Sequence, residues 1–423
     1  MARDLKLFTT GSSGSRARWW EAAAWIAWAA VFATISILIL AGSEHSVVSA
    51  YRDASRQWFA AGDIYTDTGH GFLYLPVAAI LFAPFAWLPP AAGEIAWRLL
   101  AVGGFAFGVR RLGKIAEGGN SPGTFAILTL ASLPPALACA RNGQSTLVMA
   151  ALMMLACVDL AQRRLGWAAF WATFAVAFKP LAIVLLLLSP FLDRRLVWRV
   201  ALGVIGILCV PLLTQSPHYV IDQYAKCAQM FRASSYCGMI EPWAQPFCVL
   251  SLLGVTIPES TQTVIRVVAA GGAIALCVVA RLRCGAARSA EYLLAISSLY
   301  ILLFNPRTEN NTYAMLGPVI GISLLAALAH GRARRAEVVF LSSLLALLAV
   351  GDSLVRLFAP EGEHIWMTPS IALLFGLYLM HRLFFREGKP SNPPAPEESR
   401  PNDALRRPHL LAHGPVAGAR SIL

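Results

Sequence analysis

The stretch WEAAAWIAWAAVFATISILILA (residues 20–41) decides the fold class. It carries one charge, Glu21, and is apolar on every face. About 20 apolar residues in a helix rising ~1.5 Å each cross the ~30 Å hydrocarbon layer of a bilayer. No small-residue cleavage site follows the run, so it reads as a retained first helix rather than a removed leader.

Working outward, residues 1–19 (MARDLKLFTTGSSGSRARW) are polar and basic, and excess Lys and Arg mark cytoplasmic segments. The first run is typical of the whole: 57% of the 423 residues are hydrophobic and 14% charged, and mean hydropathy is +0.60. Soluble domains are about 45–50% apolar and ~25% charged. The chain is therefore expected to be an all-α polytopic membrane protein. Its long continuous runs exclude a β-barrel, which needs alternating segments of ~10 residues. The net charge of +12 marks inner loops; no basic stripe interleaved with aromatics points to nucleic acid.

Further apolar segments lie near 73–89, 93–110, 121–140, 144–161, 166–178, 180–192, 198–214, 246–258, 262–282, 289–304, 311–330, 335–353 and 365–385. Several are too short for a straight span, and the expected number of crossings is about 11–13. Basic clusters at Arg163-Arg164, Asp193-Arg194-Arg195, Arg281 to Arg288, Arg332 to Arg335 and Arg382 to Lys389 belong inside. Loops 43–72 and 215–245 then fall outside, and 387–423, Pro-rich and without apolar period, reads as a disordered cytoplasmic tail behind a membrane domain of residues 20–386. Four segments separate loop 43–72 from Arg163, yet opposite sides demand an odd number of crossings. One segment must be re-entrant, tilted or merged, and Pro134-Pro135 and Lys179-Pro180 are the expected breaks.

Four polar groups stand at the outer face. In loop 43–72, Tyr51, Ala54, Trp58, Ala61 and Tyr65 recur at three- and four-residue spacing, predicting a surface helix with Asp53, Arg56, Gln57 and Asp63 on its other sides. Arg141-Asn142-Gly143-Gln144 interrupts two apolar runs; a guanidinium and two amides suit phosphate or sugar hydroxyls. Lys179 stands in an apolar run, where a charge is costly and by default functional, and an ammonium fits a lipid-linked phosphate. Asn305 to Tyr313 contains Arg307 and Asn310 among many hydrogen-bonding groups. The bland readings are a solvated loop, a plain turn, a snorkelling lysine and a hydrophilic loop.

No phosphate-binding loop, dinucleotide fingerprint, zinc-protease or serine-hydrolase motif occurs, so neither a cofactor nor a metal is expected. Of the eight cysteines, Cys139, Cys157, Cys209 and Cys277 sit in apolar runs as small hydrophobes. Cys227, Cys237 and Cys248 lie in or near the second outer loop, where one disulfide is possible.

Tyr51, Ala54, Trp58, Gly62, Ile64 and Tyr65 lead into GFLYLPVAAILFAPFAWLP (71–89), then NGQSTLVMAALMMLA (142–156), FKPLAIVLLLLSPFLDRR (178–195) and NPRTENNTY (305–313). In order and spacing, over residues 20–350, this resembles the polyprenol-phosphate-mannose-dependent glycosyltransferases of family 87, of the GT-C class. The resemblance implies a GT-C-like bundle with interfacial helices in its first extracytoplasmic loop. It also implies transfer of a sugar, mannose by default, from a polyprenyl phosphate to a lipid or glycan acceptor on the outer face of the plasma membrane, with inversion. The partners would be that donor, the acceptor and membrane lipids.

Family members carry an acidic base in the first outer loop, many of them an Asp several residues before the Tyr-x-x-Ala run. Here Ser46-Val47-Val48-Ser49 occupies that stretch. Asp53 is then the expected base, with Glu44 second. A phosphate leaving group needs positive charge rather than a general acid, which Lys179, Arg307 and Arg141 would supply. Trp58, Tyr65 and Tyr74 would contact sugar or lipid. The competing readings are a secondary transporter or lipid flippase, and a membrane scaffold without chemistry.

Overall fold

A computed structural model of the chain describes residues 13–42, 45–65, 72–117, 119, 121, 123–233, 243–358 and 363–387. Among them every regular element is helical: α1 (Ser13–Leu40), α2 (Val48–Phe59), α3 (Pro76–Ala86), α4 (Pro90–Gly113), α5 (Thr124–Asn142), α6 (Thr146–Ala161), α7 (Leu165–Phe178), α8 (Ile183–Leu192), α9 (Leu196–Cys209), α10 (Pro217–Ala233), α11 (Pro246–Leu252), α12 (Glu259–Arg283), α13 (Ala286–Phe304), α14 (Leu316–Ala329), α15 (Arg335–Phe358) and α16 (Met367–Phe385). Eight helices of the described residues are long and apolar enough to cross a membrane, and shorter apolar helices accompany them. The protein is an all-α polytopic membrane protein. The N-terminal segment 1–12, Glu44 and the tail from 388 lie outside the described residues.

Ion pairs sort the helix ends into two sets. At one end Arg110 meets Glu21, Arg111 meets Asp159, Arg163 meets Asp193, and Glu117 meets Arg288, His330 and Arg382. The opposite end gathers α2, the 142–146 turn, Lys179 and the 305–313 segment.

This arrangement resolves the crossing parity. Both flanks of α3 stay at the α2 end: Tyr74 just before it bonds Tyr51, and the Pro90 carbonyl just after it accepts from Arg52 at 2.7 Å. Its 11 residues span about 16 Å, too little to cross and return. Helices α4, α5 and α6 are then the three crossings between the first loop and Arg163. The 16-residue α6 joins both ends, from Lys179 at Thr146 to Arg111 and Trp171 at Asp159.

Of the two expected breaks, Lys179-Pro180 is real: Lys179 is extended (φ −150°, ψ 116°) and a 3-10 turn follows. Pro134-Pro135 lies within a continuous α5. The reason is packing. Pro135 has no N–H for the Ala131 carbonyl, and α14 brings Gly317 so close that a Cβ there would stand 2.5 Å from that oxygen. A neighbouring helix shields the freed group from lipid.

Helix α2 follows the predicted period but ends at Phe59, six residues before Tyr65, because Ala61 takes a left-handed φ of 53°. Its apolar face (Tyr51, Ala54, Trp58) packs on protein, chiefly α3, rather than on lipid. Trp58 is fully buried and donates to Thr214 at 3.0 Å. Truncating such a tryptophan costs ~3–5 kcal/mol. Loop 215–245 also carries structure: α10 docks on the first loop through Tyr219 to the Gly62 carbonyl (2.6 Å) and Lys226 to Asp63 (2.8 Å). Cys227 is a free thiol and Cys248 is disulfide-bonded. The disulfide partner and Cys237 lie outside the described residues.

Candidate active site

The turn between α5 and α6 anchors the site. Gly143 has φ +67° and its Cα is hemmed in, since a Cβ would meet Val48 at 2.6 Å and the Arg98 guanidinium at 3.1 Å. Only glycine fits both the left-handed backbone and that space. Around it, buried Arg98 donates to the Arg141 carbonyl (2.8 Å), Ser46 (3.1 Å) and Glu94 (2.9 Å), and Trp97 donates to the Gly143 carbonyl (2.7 Å). The backbone of Val47 bonds the Asn142 carbonyl at 3.0 Å. The first loop, α4 and the turn are thereby one rigid unit.

Two clusters flank the start of α6. In the first, the Tyr51 and Tyr74 hydroxyls lie 2.8 Å apart, Ser145 Oγ bonds Tyr74 at 3.2 Å, and the Ser145 amide bonds Tyr51 at 3.3 Å. Burial pushes the Tyr51 phenol well above its ordinary range, and the adjoining Tyr74 adds to this, so Tyr51 stays protonated at any physiological pH. In the second, Lys179 Nζ donates to Thr146 Oγ1 at 2.6 Å and Gln144 donates its amide to the Glu309 carboxylate. The Gln144 amide oxygen in turn lies 3.9 Å from the thiol of buried Cys139. The N–H groups of the first turn of α6 have no intrahelical partners and carry partial positive charge. Lys179 therefore stands where an anion would meet an ammonium and a helix N-terminus together.

The remaining sequence candidates divide. Arg141 is exposed at the end of α5. Arg307 stacks over Trp243, 4.7 Å from ring centre. Asn310 accepts from Thr368 at 2.9 Å. Tyr65 is buried, donates to the Tyr74 carbonyl at 2.7 Å and supports the tyrosine pair from behind. Trp58 is buried against Thr214, in the segment between α9 and α10. Asp53 is exposed on the face of α2 opposite the buried one and makes no ion pair with a described residue. Glu44 falls outside the described residues.

Sequence reasoning missed Glu309, Ser145 and Thr146 as site residues. The signal was available: a carboxylate beside Arg307 in a polar interruption, and a Ser-Thr pair opening a helix directly after a Gly turn.

An apolar groove of about 590 Å³ runs between α3, α7 and α9, walled by Val77, Leu81, Phe170, Phe174, Trp198 and Ile207. One wall is α7, from Gly166 near the ion-paired end to Ala177. The next residue, Phe178, lines a small cavity with Tyr51, Tyr74 and Ser145, and Lys179 follows. The α7 wall of the groove therefore stops two residues before Lys179.

The sequence profile of glycosyltransferase family 87 matches residues 72–306, more than half of the chain. The chain belongs to glycosyltransferase family 87. None of the curated proteins matches it. The matched stretch contains Tyr74, the 142–146 turn, Lys179 and the whole groove, and begins after α2. As a family 87 glycosyltransferase the protein uses a sugar donor and an acceptor, and the transporter, flippase and scaffold readings give way. Among the described residues no group of three His, Cys, Asp or Glu side chains is placed to hold a metal ion.

Proposed function

We propose that this glycosyltransferase moves a hexose, with mannose as the first candidate, from a polyprenyl phosphate to a lipid or glycan acceptor of the cell envelope, at the extracytoplasmic face of the plasma membrane. The observation that carries the reading is that α7 walls the apolar groove and ends at Lys179. A donor with a long isoprenoid chain and a phosphate needs both, in that order, at membrane depth. In this reading the ion-paired end, rich in arginine, faces the cytoplasm together with both termini.

In the reaction the acceptor hydroxyl oxygen forms a bond to the anomeric carbon while the bond from that carbon to the phosphate oxygen breaks. A single displacement inverts the configuration. The departing electron pair stays on the phosphate, which Lys179 and the N-terminus of α6 stabilise, with Arg141 and Arg307 as further cations. The hydroxyl proton passes to a carboxylate. Asp53 is the base in this scheme and Glu44 the second candidate: Asp53 is open to water, makes no ion pair among the described residues, and is on the helix that carries Tyr51 into the cluster. Glu309 positions Gln144, and with Asn142 and Asn310 these amides are suited to sugar hydroxyls.

The test is transfer of label from polyprenyl-phosphate-mannose by membranes containing wild type or Asp53→Asn. The scheme expects a labelled lipid or glycan with wild type and a loss of at least about 100-fold in the variant. Equal transfer by both removes Asp53 as base. No transfer by wild type from a panel of polyprenyl-linked sugars removes the donor assignment.

A further inference from the structure

At the ion-paired end, far from the Lys179 cluster, a second cavity of about 390 Å³ opens among the ends of α6, α8, α9, α12 and α13. Its wall includes Arg163, Arg194, Arg195 and Arg281 against one carboxylate, Asp193. Asp193 is already engaged, by Arg163 at 3.3 Å and by the Arg195 amide at 3.0 Å. Arg281 reaches the Phe191 carbonyl at 3.3 Å. The side chains of Arg194 and Arg195 are exposed and make no hydrogen bond or ion pair with a described residue. Arg163 holds a left-handed φ of 60°, a conformation L residues rarely adopt and one that collects at ligand sites.

The contrast with the neighbouring arginines is sharp. At the same end, half-buried Arg288 and buried Arg382 are met by Glu117, Glu291 and Glu387. The cavity holds three positive charges in excess, and no further carboxylate among the described residues lines it. Its surroundings are those of a membrane interface: Leu160 and Leu192 line it, and Phe191, Val197, Trp198 and Leu282 stand exposed around it. Arg199 lies over the Trp198 ring at 4.2 Å.

We propose that this cavity binds the phosphate headgroup of an anionic phospholipid, separately from the donor site. A basic hollow between membrane helices, rimmed by apolar and aromatic side chains, suits a phosphodiester whose acyl chains lie against the helices. The inference needs only the membrane placement of the helices and stands apart from the transfer reaction.

The test uses the full-length protein and two probes, phosphatidylglycerol and inorganic phosphate, with phosphatidylcholine as the neutral comparison. Lipid retained after detergent extraction is read by native mass spectrometry, and thermal stability is followed in parallel. Wild type is expected to retain phosphatidylglycerol over phosphatidylcholine. Arg194→Gln/Arg195→Gln should weaken that retention about thirtyfold, from about fivefold for each interfacial arginine, with the melting temperature in neutral detergent unchanged. Arg164→Gln/Arg335→Gln removes the same charge at the same end outside the cavity and should retain the lipid. Equal loss in both double variants would mean a diffuse field and overturn the site. Stabilisation by inorganic phosphate as large as that by phosphatidylglycerol would overturn the lipid assignment. Should the first double variant not purify folded, Arg195→Gln alone carries the test, with a fivefold loss expected and no loss overturning it.

Discussion

The two ends of the helix bundle use charge in opposite ways. At one end Arg288, Glu291, Glu117, Arg382 and Glu387 answer one another within 2.5 to 3.8 Å. At the other, Lys179 is met by a threonine hydroxyl, Asp53 faces water, and Glu309 is held by an amide. Charges that neutralise each other lock helices together. Charges left with neutral partners stay available to a ligand that brings its own. The donor site is therefore expected where the ion pairs are fewest, and that is the end at which α7, a wall of the apolar groove, stops at Lys179.

The comparison breaks most visibly through the paired end. Glu291→Ala removes the buried carboxylate of the pair and leaves half-buried Arg288 with part of its countercharge gone. Breaking a buried pair costs about 3–5 kcal/mol, so the melting temperature in detergent should fall steeply and yield with it. An unchanged melting point would show that this end is not what holds the bundle. Through the open end, Lys179→Ala should lower kcat/KM for transfer by about 10²–10³ while leaving the melting temperature within a degree or two. A loss of stability without a specific loss of transfer would make Lys179 a structural residue. The turn that carries the site is next. Gly143→Ala must adopt φ +67° and press on Val48 and Arg98, costing about 1–3 kcal/mol, and should reduce transfer by shifting Gln144 and Thr146. Activity equal to wild type would show that the turn tolerates adjustment.

The smallest effect concerns pH. Burial raises the Asp63 carboxyl, but the hydrogen bonds from Lys226 and the Tyr65 amide outweigh it and hold it below its ordinary range. The hydrogen bonds to Asp63 and Asp222 raise the Lys226 ammonium. A depressed carboxyl stabilises the fold above its unfolded value of about 4 and loses that effect as pH falls through the folded one. A raised ammonium stabilises below about 10.5 and loses its effect as pH rises further. Between these limits the tether of α10 to the first loop should be constant. Both side chains are about a third exposed, 34% and 36%, so the pair contributes at most about 1 kcal/mol. Asp63→Asn should flatten the acid limb of a melting-temperature profile below pH 4 and leave neutral pH nearly unaffected; an unaltered acid limb would place that limb elsewhere.

Much of this was legible in the sequence, for physical reasons. Apolar runs must be helices in lipid, so the fold class followed from residues such as 20–41 alone. The period of Tyr51, Ala54 and Trp58 announced α2. Lys179 stood out because an ammonium in an apolar run is costly. The failures were tertiary. Pro134-Pro135 does not break α5, because Gly317 arrives from α14, some 180 residues away. The direction of α3 depends on Arg52 finding the Pro90 carbonyl. Glu309 became a site residue only through Gln144, on an element distant in sequence. Pattern reports which face is apolar, but not which partner a polar group meets across the bundle.

The most direct measurement is binding of polyprenyl phosphate to the purified protein, wild type against Lys179→Ala, with Arg335→Gln as a charge-matched change at the opposite end. Loss of one charge-assisted contact weakens binding about 10- to 100-fold. The account predicts that loss for Lys179→Ala and none for Arg335→Gln. Equal affinity of wild type and Lys179→Ala would contradict it, and the donor phosphate would have to be sought away from the start of α6.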